Sequence, residues 1–217
     1  MNKNINSLKN HNTIVESAAE ENEEIGKLNL PVNDLDHIQG PRTAPVNLVE
    51  YGDYECPYTG QAYPIVKEIQ KRLGNDLLFV FRNFPLKEIH PHAQHAAEAA
   101  EAAAAHGKFW DMHDYLFEHQ RALDDNHLLK YAATLGIDTD KFRKEMSIHI
   151  YASQIDKSLG EGIASGVEGT PTFFINGVRH NGSWDLETLL ATIKKKGLQA
   201  DVNWLMEAKK MMFFVKG

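Results

Sequence analysis

The sequence predicts an α/β fold in which a mixed sheet is flanked by helices and an all-helical domain is inserted into the sheet's connections. Three observations support this. A strand-helix-strand succession runs over residues 46–86, a long helical stretch extends from His92 to about Gly166, and strand signals resume in "TPTFFING" with a hairpin turn at Asn176–Gly177.

The elements follow in order. Residues 1–33 read as a flexible extension, poor in apolar residues and carrying an acidic tract from Glu16 to Glu24. "LDHIQG" and "PVNLVEYG" read as strands separated by the turn-rich "GPRTAP", and Val46, Leu48 and Val49 make the second apolar enough to be central in a sheet. A helix is expected just after Cys56. Pro57 has no N–H to lose at a first helical position, and Ala62, Ile65, Val66, Ile69 and Leu73 then recur every three or four residues until Gly74. Pro64 lies inside it and predicts a bend. "DLLFVFRNFPL" gives a third strand, leaving through Pro85. Several helices broken by Gly and Asp-rich turns follow, with Trp110, Tyr115, Leu116 and Phe117 spaced for a helical core. After the hairpin, a helix capped near Ser183 or Asp185 carries Leu186, Leu189, Leu190 and Ile193, and the last twenty residues predict another short amphipathic helix. The segments divide as 1–33, an extension; 34–88 with 167–197, the sheet domain; 89–166, the helical insertion; and 198–217, a C-terminal helical extension.

Composition narrows the function. Of 217 residues, 42% are hydrophobic and 24% charged, which is globular usage, and the formal charge of −7 argues against a nucleic-acid partner. No apolar run is long enough to span a bilayer and the N-terminal stretch has no apolar signal-peptide core, so a cytoplasmic location and no membrane partner are expected. One cysteine excludes an internal disulfide.

That cysteine, Cys56, falls at a strand-to-helix junction. Unpaired N–H groups and the positive end of the helix dipole favour a thiolate there, and the thiolate is the nucleophilic form. A reactive thiol must also be reached by its partner, so a loop-end position beside Tyr58 is expected for it. The competing reading is a small buried hydrophobe.

"VNLVEYGDYECPYTG", with "FRNFPL", "HPHA", "GKFWDMHDYLF" and "GTPTFFING" in that order, resembles the DsbA-like branch of the thioredoxin superfamily over about Asp34 to Lys196. The resemblance implies a thioredoxin fold with an inserted helical domain. It makes Cys56 the nucleophile that opens a C-P-x-C motif, Pro64 the helix-bending proline, and Glu50 a buried acid that moves protons near the sulfur. It makes Thr170–Pro171 a Thr–cis-Pro pair, with the Thr170 backbone, Pro57 and Tyr58 touching substrate. Thr59 stands where that family has its second cysteine, so an internal dithiol cycle is excluded on chemical grounds.

A monothiol cycle remains open, with Cys56 attacking a disulfide-bearing or glutathionylated protein or small molecule, and glutathione as co-substrate freeing the enzyme. No bound cofactor is expected. The Thr59 hydroxyl is a candidate donor to the thiolate. Alternatives are a redox-inactive binding module, a kappa-type glutathione transferase, or a thiol peroxidase. His90, His92, His95, His106 and His113 crowd one region, but no spaced set of further ligands completes a metal site, and none is expected. Met206, Met211, Met212, Phe213 and Phe214 form an apolar cluster that would pack back on the domain or against a second copy in a homodimer.

Overall fold

The computed structural model describes residues 26–214 of the chain. Strands β1 (His37–Gln39), β2 (Val46–Gly52), β3 (Leu77–Asn83), β4 (Thr172–Ile175) and β5 (Val178–Arg179) form one sheet in the order β1-β3-β2-β4-β5. Strand β2 is its middle strand. It pairs parallel to β3, with Glu50 opposite Phe81, and antiparallel to β4, with Glu50 opposite Phe173. Parallel pairing requires a crossover, supplied by helix α1 (Pro57–Leu73). The apolar run in β2 fits this doubly covered position, since Leu48, Val49 and Tyr51 are all fully buried.

Helix α1 starts on Pro57 with Cys56 as its N-cap residue, and it ends at Gly74, which adopts a φ of 51°. It runs on through Pro64, whose ring lies on the exposed side. Its inner face places Ala62, Val66 and Ile69 against Leu48, Phe79 and Phe81 of the sheet. Burying a side chain the size of Ile69 contributes roughly 1.5–3 kcal/mol.

Between β3 and β4 the chain forms α2 (Ala93–Ala104), α3 (Phe109–Glu118), α4 (Asp125–Thr134), α5 (Thr139–Ser147) and α6 (Ala152–Ala164). Asp124 and Asp138 cap α4 and α5, each accepting two backbone N–H bonds. Small side chains let α2 sit at the centre of this lobe: Ala96, Ala99, Ala100, Ala102 and Ala103 are fully buried. The aromatic positions read from the sequence belong to this core, with Leu116 and Phe117 buried and Trp110 and Tyr115 packed against them. Asn176 and Gly177, at φ values of 50° and 78°, make the tight β4–β5 turn.

Two expectations are corrected. Residues 26–33, assigned to a flexible extension, are held in place: Lys27 bridges to Val178, Leu28 donates to the Gly177 carbonyl, and Gly26 accepts from Arg179 N–H. Arg82 also donates to the Leu30 carbonyl at 2.9 Å while forking onto Asp36 at 2.8 and 2.9 Å. The rest of that extension, with its acidic tract, lies outside the described residues.

The second correction concerns the C-terminus, where one helix, α7 (Leu186–Phe214), replaces two. The sequence reading divides the segments after residue 197, yet the helix runs on through Gly197, where a Cβ would stand 2.9 Å from Val46 Cγ2. Its cap is Asp185, which accepts from Thr188 N–H at 3.0 Å. Met206 is exposed; the side chains of Met211, Met212, Phe213 and Phe214 lie outside the described ones. Among the described residues no helix is long and apolar enough to cross a membrane.

Candidate active site

The C-terminal end of β2 and the start of α1 converge on Cys56. Asp53, 1% exposed, organises the connecting turn. Its Oδ1 accepts from Glu55 N–H, its Oδ2 from Leu86 N–H and from His90 Nδ1, each at 2.8 Å, and its carbonyl accepts from Cys56 N–H at 3.2 Å. The sulfur makes no helix-capping bond, and no acidic residue occupies the first turn of α1.

Sγ donates to the Thr170 carbonyl at 3.3 Å. The Thr170–Pro171 peptide bond that follows is cis. The loop ahead of β4 therefore crosses the mouth of α1, bringing together two segments 114 residues apart.

Glu50 occupies the middle of β2 on the side that faces α1, because its cross-strand partners Phe81 and Phe173 belong to the same core as Ala62 and Val66. It is 3% exposed, and its Oε1 has no hydrogen-bond partner in the protein. Desolvation holds its carboxyl up at about 8, well above the ordinary 4.5, so Glu50 is neutral at pH 7.

The other sequence-derived residues divide between wall and rim. Pro57 and Tyr58 are exposed beside the sulfur, Tyr58 at 61%. Thr59 is fully buried with its Oγ1 unpartnered, and the Cys56 hydrogen bond goes to Thr170 instead. Thr170 Oγ1 is likewise buried and unpartnered.

Cys56 itself departs from expectation: it is 3% exposed rather than standing open at a loop end. Its Sγ lies against the Thr170 carbonyl, while Tyr58, two residues along, remains open to solvent.

The histidines do not cluster as ligands. His90 is paired with Asp53, His92 with Glu55 at 2.9 Å, His95 with Asp125 at 2.8 Å, and buried His113 with the Tyr54 hydroxyl at 3.2 Å. Among the described residues no three His, Cys, Asp or Glu side chains are placed to hold a metal.

Two contributors escaped the sequence reading, Asp53 and Gln120. Gln120 Nε2 donates to the carbonyls of Tyr54 at 2.8 Å and Cys56 at 3.0 Å. The available signal was Gly60, a glycine in the first turn of a helix where no positive φ requires one; a Cβ there would overlap Gln120 Oε1.

The strand order, the helix beginning on the thiol and the cis bond facing it are those of a thioredoxin fold, and the helical lobe between β3 and β4 makes it DsbA-like. The chain belongs to the thioredoxin family, which it matches over residues 33–195. Among solved structures it is similar to oxidised BdbD from Bacillus subtilis, with a TM-score of 0.70 and 26% identity over 79% of this chain and 98% of that one. It is also similar in fold to alpha-DsbA1 from Wolbachia pipientis, with a TM-score of 0.69 and 21% identity over 81% and 96% of the two chains. Among curated relatives, it is 49% identical over 167 residues to a protein named Na(+)/H(+) antiporter NhaA 1 from Salinispora arenicola, covering 76% of this chain and 26% of that protein. A protein of the same name from Mycolicibacterium vanbaalenii is 40% identical over 171 residues, covering 77% and 28%. The chain thus spans about a quarter of the length of these curated relatives.

Proposed function

We propose that this chain is a thiol–disulfide oxidoreductase of DsbA-like type that works through Cys56 alone. The carrying observation is the 3.3 Å contact between Cys56 Sγ and the carbonyl that precedes the cis bond, at the start of a helix whose next turn holds Thr59 instead of a second thiol.

In the first step the Cys56 thiolate attacks one sulfur of a substrate disulfide. That S–S bond breaks, a mixed disulfide forms, and the other sulfur leaves as thiolate. In the second, a glutathione thiolate attacks either sulfur of the mixed disulfide: attack on the substrate sulfur expels the Cys56 thiolate, and attack on Cys56 expels the substrate thiolate. A second glutathione thiolate then attacks the glutathionyl mixed disulfide so formed, releasing glutathione disulfide and the remaining thiolate. Net, two glutathione thiols are oxidised to one disulfide as the substrate disulfide is reduced to two thiols, and the protein returns unchanged. Glu50, neutral at pH 7, is a proton donor for a departing thiolate rather than a base. Such a cycle fits a reducing, glutathione-rich compartment such as the cytoplasm. Disulfide-bearing or glutathionylated proteins are its substrate class, bound with Thr170, Pro57 and Tyr58 at the rim.

Incubation with glutathione disulfide, followed by intact-mass measurement, tests this. A single glutathionyl adduct that forms on the native chain, is absent in Cys56→Ser, and is removed by reduced glutathione is the expected result. The burial of Cys56 favours one second reading, a binding module whose cis-proline loop holds an extended peptide without redox turnover. An adduct that forms only after denaturation selects that reading and overturns the first.

A further inference from the structure

Resting on the thiol-exchange reading, we infer that Gln120, supplied by the helical lobe, is a positioning residue that aims the Cys56 sulfur.

The direction of a side chain's Cα–Cβ bond is set by the two peptide planes that flank it. At Cys56 those planes place the residue at φ −68° and ψ 121°, extended, immediately before the helix. The plane that follows carries the Cys56 carbonyl, which accepts Gly60 N–H at 3.0 Å as the first helical bond and Gln120 Nε2 at 3.0 Å as a second. The same amide donates at 2.8 Å to the Tyr54 carbonyl, two residues earlier. One side chain from beyond the end of α3 thus spans the turn that carries the nucleophile and fixes it at both ends.

The fit is built from both sides, because α1 has glycine at residue 60, where any Cβ would overlap Gln120 Oε1. Asp53 holds the turn through its backbone and through His90, and Glu55 is held by His92, but neither reaches the Cys56 carbonyl. Gln120 is the side chain that does.

Attack on a disulfide needs three sulfurs in line, whereas alkylation by a small haloacetamide accepts a wider range of approach. A displacement of Sγ by a fraction of an ångström therefore penalises exchange more than alkylation. Replacement of Gln120 by methionine keeps its volume and removes both donors. It preserves the packing between lobe and helix and lets the turn relax.

The experiment compares wild type, Gln120→Met and Gln120→Glu for the second-order rate of glutathionyl-adduct formation from glutathione disulfide and, separately, the rate of alkylation by iodoacetamide at the same pH. Thermal unfolding confirms that each variant is folded. Exchange about tenfold slower in Gln120→Met, with alkylation unchanged or faster, is expected. Gln120→Glu, which turns an acceptor onto two carbonyls, should be slower still in exchange. Equal exchange rates in wild type and Gln120→Met, or equal fractional losses in both reactions, overturn the role of Gln120 and leave the exchange reading standing. A wild type that is alkylated but never forms the adduct overturns both.

Discussion

Replacing Glu50 by glutamine removes a titration that the fold makes expensive. Burial lifts the Glu50 carboxyl from 4.5 to about 8. The folded chain therefore binds more protons at this residue than the unfolded chain does, and stability falls as pH rises through that interval. Below about pH 4.5 the contribution is fully present; above about 8 it is lost. At about 1.4 kcal/mol per pH unit, the full interval corresponds to about 5 kcal/mol.

A second buried group titrates the opposite way. Desolvation holds His113 neutral, well below its ordinary 6.5, so its contribution is present above that pH and lost on acidification. The two effects oppose each other in mild acid and separate above about pH 6.5, where Glu50 alone of the pair still changes charge. Urea unfolding followed by circular dichroism between about pH 6.5 and 8.5 isolates it, and a Cys56→Ser background removes the thiol from the same window. The stability of the Glu50 form, less that of the Glu50→Gln form, should decline by about 2 kcal/mol across that range. Parallel curves for the two proteins would refute the claim that Glu50 is buried as a neutral acid, and with it the proton-donor role.

Other substitutions probe the remaining joints of the site and fold. Thr59→Cys restores a second thiol without breaking a hydrogen bond, since Thr59 Oγ1 has no partner; the glutathionyl adduct should then decay without added thiol, leaving an internal disulfide detectable by mass. Arg82→Met leaves Asp36, whose side chain is 8% exposed, without its guanidinium and should cost about 3–5 kcal/mol in urea unfolding. Gly162→Ala places a Cβ 2.6 Å from Phe84 Cδ2 and 3.0 Å from Tyr51 Cδ1. Overpacking of about 1–3 kcal/mol should outweigh the helix-propensity gain of up to about 1 kcal/mol, lowering the melting temperature.

Legibility followed the range of the interactions involved. The start of α1 was readable because proline at a first helical position and the apolar spacing behind it are local signals, and Asn176–Gly177 announced its turn for the same reason. Residues 26–33 were not readable, because the groups that hold them, Gly177, Val178, Arg179 and Arg82, lie far along the chain. The division drawn after residue 197 failed because α7 continues through Gly197, where a Cβ would press on Val46, a contact from far along the chain. Within the site, the motif named Cys56, Glu50 and the Thr170–Pro171 pair. The burial of the sulfur and the grip of Gln120 depend on how lobe and sheet meet, for which the sequence carries no periodic trace.

Strand β5 has two residues and forms one margin of the sheet, and the backbone around Lys27 and Leu28 lies along it. Uncovered, that margin would present open main-chain donors and acceptors to any extended segment in solution, another copy of the chain included. A protein trimmed to begin at residue 34, where sequence patterning places the start of order, would lose this guard and be prone to self-association, whereas one beginning at residue 26 would keep it.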